Sequence, residues 1–126
     1  MQKVTPFLLF EGKAEEAIRF YTSTFKDAEV GNMLYQENGM VLHATFTIKG
    51  QTLMAIDSVI EHGFTFTPAL SLFIECDSGE ELEELHNKLA DNGKVLMPIT
   101  DTPISEKFSW VEDRFGVSWQ LNMMKK

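Results

Sequence analysis

The chain repeats one pattern twice, and that repeat limits its folds more than any other feature. Residues 13–25 (KAEEAIRFYTSTF) and 78–90 (SGEELEELHNKLA) are both amphipathic, with Glu15-Glu16 and Glu80-Glu81 set 65 residues apart. Apolar alternation precedes each stretch, at Phe7/Leu9 and again at Leu72/Ile74, also 65 apart. A glycine hairpin follows each, Ile48-Lys49-Gly50-Gln51 and Asp113-Arg114-Phe115-Gly116, with the glycines 66 apart. Two half-length copies in one register predict a pseudo-symmetric fold whose site lies where the halves meet.

In the first half, residues 3–10 read as a strand and 13–25 as a helix, its apolar side formed by Ala14, Ala17, Ile18, Tyr21 and Phe25 at helical spacing. Strands at 28–36 and 40–48 join through Asn38-Gly39, a dipeptide suited to a tight turn, and 51–57 adds another strand after Lys49-Gly50. In the second half, strand 69–76 leads into a helix. Ser78 and Glu81 form its capping box, Leu82, Leu85 and Leu89 its buried stripe, and Gly93 its stop. A short strand near 94–97, a loop holding Pro98 and Pro103, and a hairpin of 107–113 with 116–122 complete the chain. The predicted class is α+β: one domain over residues 1–126, built as two βαβββ modules, 1–57 and 68–126, with 58–67 as connector.

With 126 residues, 44% of them hydrophobic, the chain is long enough for one core that removes roughly 70% of the unfolded surface from water. The net charge of −8, from 11 Lys and Arg against 19 Asp and Glu, argues against a nucleic-acid partner, which requires a basic face. A single cysteine, Cys76, forms no internal disulfide and reads as a buried thiol. The segment MQKVTPFLLFEGK lacks a long apolar run before a small-residue cleavage site, and no apolar run nears the ~20 residues that span a bilayer. The expectation is a cytoplasmic protein without a membrane partner.

Helices cover one side of each sheet, so strand parity separates a core face from an open one. The expected helix side holds Phe7, Leu9, Leu53, Ala55, Leu72, Ile74, Val117, Trp119 and Leu121. The other parity gathers Pro6, Leu8, Phe10, Thr52, Met54, Ser71, Phe73, Ser118, Gln120 and Asn122, a mixture suited to the lining of a cup. A two-residue turn at Lys49-Gly50 sets Thr45 opposite Met54 and His43 opposite Ile56, which directs His43 into the cup. A three-residue loop at 114–116 pairs Trp110 with Gln120 and directs Trp110 there too, whereas another turn would reverse it.

The segments TPFLLFEGKAEEAIRFY, FTFTPALSLFIECDS and WVEDRFGVSWQL resemble the PhnB-like branch of the vicinal oxygen chelate (glyoxalase/bleomycin-resistance/dioxygenase) superfamily, some of whose members carry a 3-demethylubiquinone methyltransferase label. The resemblance spans nearly the whole chain. It implies paired βαβββ modules enclosing a cup, commonly in a homodimer, and in many relatives a divalent metal that activates vicinal oxygens of a substrate. The family's metal positions fall at Pro6, Met54, Ser71 and Gln120. Only Gln120 is a donor of the usual kind for hard or borderline cations, so neither the standard metal centre nor another cofactor is expected.

His43 has two readings: acid/base or ligand anchor, or strand histidine bonded to a neighbour. His62 in a loop and His86 on a helix read as structural or exposed. Phe64 and Phe66 serve either as aromatic walls of the cup or as a staple between the modules. Trp110 can stack on a flat ligand, while Asp113 to Gly116 reads as a turn. A nucleoside-binding methyltransferase would need a Gly-rich turn between strand and helix, and Glu11-Gly12-Lys13 has one glycine. The expected function is binding of a small organic molecule by the cup, with candidates His43, Met54, Phe64, Phe66, Ser71, Trp110, Ser118 and Gln120. The alternative is a lyase-, isomerase- or dioxygenase-type enzyme with a nonstandard metal, or with His43 as base.

Overall fold

The computed structural model describes residues 3–125. The chain forms two compact units, residues 1–65 and 66–126, each a βαβββ motif. The first contains β1 (Phe7–Phe10), α1 (Ala14–Thr24), β2 (Ala28–Tyr35), β3 (Val41–Ile48) and β4 (Gln51–Asp57). The second contains β5 (Ser71–Glu75), α2 (Gly79–Ala90), β6 (Lys94–Thr100), β7 (Ser105–Glu112) and β8 (Ser118–Met124). Their mixed four-stranded sheets run β1-β4-β3-β2 and β5-β8-β7-β6, with β1 parallel to β4 and β5 parallel to β8. The α+β class is therefore as expected.

Each sheet buries one face under its own helix. In the first unit Ala14, Ala17, Ile18 and Tyr21 of α1 are buried, as are Phe46, Leu53 and Ala55 on the strands. Tyr21 stacks on Phe46 with ring centroids 6.1 Å apart. In the second unit Leu82, Leu85 and Leu89 are buried with Val111, Trp119 and Leu121.

The helices are capped differently. Lys13 offers α1 no side-chain cap. Asp57, at the end of β4, supplies one from a distance: Oδ1 accepts from the Gly12 and Ala14 N–H groups and Oδ2 from the Val41 N–H, at 2.9, 2.9 and 3.0 Å. One buried carboxylate thus satisfies donors at the start of α1 and of β3, where unpaired amides would be costly. By contrast α2 carries its own capping box: Ser78 Oγ accepts from the Glu81 N–H, and Glu81 Oε1 from the Asp77 N–H.

Several expectations need correction. In β1 the parity is reversed: Leu8 and Phe10 are buried, whereas Phe7 is 52% exposed. Phe7 pairs with Met54 and Leu8 with Ala55, so Phe7 and Leu9 belong to the open face. The 65-residue offset caused the error, because an odd offset swaps the faces of a strand. In the sheets Phe7–Met54 answers Phe73–Gln120, an offset of 66, while the buried stripe Ile18-Tyr21-Phe25 answers Leu82-Leu85-Leu89, an offset of 64. Counted between equivalent positions, from Phe7 to Ile18 and from Phe73 to Leu82, the first unit takes two more residues, and its strand-to-helix turn passes through Gly12 at φ +94°.

Gly93 is not the left-handed helix stop. Asn92 takes that conformation, at φ 60°. Gly93 is needed because a Cβ there would overlap the Glu112 carbonyl oxygen. Strand β6 continues through Pro98 to Thr100, allowed because β6 is an edge strand and proline's missing donor need not face a neighbour. Five residues, 36–40, join β2 to β3: the Gln36 N–H donates to the Met40 carbonyl, which encloses three residues, and of these only Gly39 (φ 88°) takes positive φ. The final hairpin pairs Ser105–Glu112 with Ser118–Met124.

Candidate functional site

The open face of the second sheet resolves into three rows that run across its strands. Ser71, Ser118, Glu112 and Lys94 form the first; Phe73, Gln120, Trp110 and Met97 the second; Glu75, Asn122, Phe108 and Thr100 the third. The chain is thus sorted from a hydroxyl row through an aromatic row to a row ending in a carboxylate.

Four expected site residues meet here. The Trp110 indole Nε1–H donates to Ser118 Oγ (2.7 Å), Ser118 Oγ lies 3.0 Å from Ser71 Oγ, and Gln120 Nε2 donates to Ser71 Oγ (3.3 Å). Ser118 is 1% exposed, so its hydroxyl fixes the half-buried indole from below. The turn that directs Trp110 to this face is the three-residue loop: the Asp113 N–H donates to the Val117 carbonyl and Gly116 sits at φ 91°. Asp113 stabilises that turn, accepting from the Phe115 and Val117 N–H groups and from Trp119 Nε1. Its role is structural, as its position in a turn suggests.

Of the third row, sequence reasoning places only Asn122 on this face. Buried Ser105 Oγ donates to Asn122 Oδ1 (2.5 Å), and Asn122 Nδ2 donates to Glu75 Oε1 (2.9 Å). Asn122 has the parity of the open face, a signal available in the chain, but its partner Glu75 becomes apparent only through the register of β5 on β8.

The open face of the first sheet is more apolar. Phe7, Met54 and Thr45 lie in one row, and Leu9, Ile56, His43 and Leu34 in the next, as the paired registers require. Thr45 Oγ1 accepts from the Asn32 N–H (3.0 Å), and Gly31 passes close over the same hydroxyl. His43 is half-buried on this face beside apolar side chains. The parity reversal in β1 means that the open-face position there is Phe7 rather than Pro6, whose carbonyl accepts from the Met54 N–H.

The two connector phenylalanines separate. Phe64 belongs to the first unit, is 63% exposed, and stacks on His62 at 5.2 Å. His62 Nε2 also lies 2.8 Å from Ser58 Oγ. Phe66 belongs to the second unit and lies beside Gly116, where an added Cβ would come within 3.9 Å of it. His86 on α2 hydrogen-bonds Ser109 Oγ (3.0 Å), and burial holds its pKa below the usual histidine value.

For a divalent metal, the open faces offer Phe7, Leu9, Met54, Thr45 and His43 in one sheet and Ser71, Gln120, Glu75 and Glu112 in the other. The usual donors are sparse in this set: one imidazole, His43, in the first sheet, and two carboxylates in the second, Glu75 and Glu112, which stand two rows apart; the thioether, hydroxyl and amide groups around them are poor ligands for a hard or borderline cation. Among the described residues no three His, Cys, Asp or Glu side chains gather to hold an ion, and no helix is long and apolar enough to cross a membrane.

The chain is similar to the PhnB protein of Bacillus cereus, at 49% identity and TM-score 0.92 over 97% of this chain and 99% of that one. It is 25% identical to protein YjdN of Escherichia coli K12, covering 98% of this chain and 96% of the relative. A glyoxylase/bleomycin resistance protein/dioxygenase domain from Frankia shares the fold at TM-score 0.71 and 14% identity, over 100% of this chain and 94% of that one. The profile described as 3-demethylubiquinone-9 3-methyltransferase matches residues 2–122. The chain therefore belongs to that family, and it has the fold of the glyoxylase/bleomycin resistance protein/dioxygenase domain.

Proposed function

We propose that the protein binds a small organic molecule on the open face of its second sheet, without the metal centre common in the superfamily. The observation that carries this reading is the Ser71–Ser118–Trp110–Gln120 network. It holds an aromatic plate and an amide in fixed positions on a face that no helix of its own unit covers. Preordering of this kind reduces the entropy lost when a ligand binds. Gln120 donates to Ser71 through Nε2, which leaves its Oε1 as an acceptor for a ligand donor. Trp110, half-buried, presents a ring on which a flat ligand stacks.

The family's methyltransferase description does not enter this reading. The first strand-to-helix turn has a single glycine, and the Gly12 N–H is committed to Asp57, which leaves no Gly-rich cradle for a nucleotide-like cofactor. The acidic balance of the chain and the two carboxylates on this face favour a ligand that brings hydrogen-bond donors. Assembly as a homodimer, implied by the family resemblance, and a cytoplasmic location, in keeping with the single cysteine, are part of the same proposal; light scattering at micromolar concentration measures the first.

The test is a thermal-shift screen of metabolites and cationic antibiotics, with hits followed by tryptophan fluorescence, since Trp119 is buried and Trp110 is half-buried on the open face. At least one compound is expected to stabilise the wild type, and Trp110→Ala or Gln120→Ala should weaken it about tenfold, the equivalent of ~1.4 kcal/mol. The proposal fails if nothing in the screen stabilises the protein, or if both variants bind every hit as the wild type does. Metal analysis of protein purified without chelators separates this reading from a metal-dependent enzyme.

A further inference from the structure

From the third row of the same face we infer a specific ligand chemistry: Glu75 is an anchoring carboxylate for a protonated nitrogen group, an ammonium or amidinium, carried on an aromatic or flat apolar body. The inference rests on the open-face site proposed above and names what that site selects.

Glu75 is exposed at the end of β5, yet it is held in place from below. Ser105 is 2% exposed and Asn122 1%. The hydroxyl of the first fixes the amide of the second, and that amide donates to Glu75 Oε1. An asparagine buried this deeply and turned toward a surface carboxylate restricts the glutamate's rotamers, so the carboxylate is partly ordered before a ligand arrives. No described side chain donates to Oε2.

The surroundings of Glu75 point to a cation. Asn122, Phe108 and Thr100 complete its row, and no Lys, Arg or His stands in that row or the next. Lys94 lies two rows away and at the opposite edge, opposite Glu112. Along the strand this is about 13 Å, at ~3.3 Å per residue. The charge of Glu75 therefore has no counter-ion on its own part of the face. Phe73 stands two residues before it on the same side of β5 and is 55% exposed. In register it pairs with Gln120, next to Trp110. A body that rests on the Phe73 and Trp110 rings brings its charged end to Glu75 at a separation of one row, about 6–7 Å. A cation there gains both a charge-assisted hydrogen bond and the attraction of an aromatic face. An anion meets only repulsion, and a neutral hydroxyl keeps a hydrogen bond to the carboxylate but forgoes the charge–charge attraction and the attraction of a cation to the ring.

Benzylammonium and benzamidine are the probes, with benzyl alcohol as the neutral comparison and benzoate as the anionic one, titrated at low salt against the full-length protein by heteronuclear NMR and Trp fluorescence. The wild type is expected to bind the two cations about fivefold to tenfold more tightly than benzyl alcohol, as one partly exposed charged hydrogen bond provides. Glu75→Gln, a surface change that keeps the side-chain shape and an acceptor oxygen, is expected to abolish that preference by weakening both cations, with benzyl alcohol affinity shifting by less than about twofold. Asn122→Ala is expected to reduce the ratio of benzylammonium to benzyl alcohol affinity, a readout that a loss of stability alone does not move. If Glu75→Gln retains the cation preference, or benzoate binds as well as benzylammonium, the anchor assignment is wrong. Benzylammonium binding that disappears in Trp110→Ala but shows no dependence on Glu75 overturns the anchor while leaving the open-face site standing. No binding of any probe overturns the anchor too.

Discussion

His86 shows how a single residue placed for packing acquires a pH dependence. It sits on α2 with Nδ1 against the buried hydroxyl of Ser109, and desolvation lowers its pKa. The unfolded chain then binds a proton at higher pH than the folded chain does, so stability rises with pH in this range. The contribution is fully present above the usual histidine value of about 6.5 and fades as the pH falls through the lowered folded value. Melting temperatures measured between about pH 7.5 and about pH 5 should fall more steeply for the wild type than for His86→Gln; parallel curves would show that His86 contributes nothing. At this scale the chain itself was only partly informative. Trp110 and Gln120 were legible as neighbours because a turn length fixes register. Glu75 was not, because its importance comes from a partner 47 residues away that is supported by a third side chain.

The elements were more legible than their boundaries. Both helices follow from apolar periodicity, and the Lys49-Gly50 turn takes positive φ at both residues, 48° and 85°, as a two-residue hairpin requires. What remained hidden was any feature dictated by a contact distant in sequence. Asp57 is the clearest: in the chain it ends a strand, and in the fold it caps a helix that begins 43 residues earlier. Gly93 is another, its small size demanded by the backbone at Glu112 and Asp113. Gly93→Ala should therefore cost about 2–3 kcal/mol through overpacking and lower the melting temperature by roughly 8–12 °C. Gly39→Ala, in a turn with open space around it, should cost only about 1 kcal/mol from its positive φ. Equal losses in the two variants, read by thermal denaturation, would contradict the packing argument.

For the whole molecule, the thirteen residues between Asp57 and Ser71 contain no helix or strand. Val59, Ile60, Phe64 and Leu70 lie largely exposed within them. Chymotrypsin under native conditions should cut first after Phe64, giving two fragments near the boundary of the compact units. A first cut inside either sheet, seen by mass spectrometry, would show that the units open before the connector does. The duplication that makes the fold recognisable also explains where its reading failed, since a one-residue error of offset moved Phe7 and Leu9 to the wrong side of their sheet. The same arithmetic governs how such a chain tolerates length changes. Loss of one residue from β1 or β5 would turn the side chains of the open face inward and those of the core outward. Loss of two would only shorten the strand, so deletion variants that keep their fold should be found in pairs.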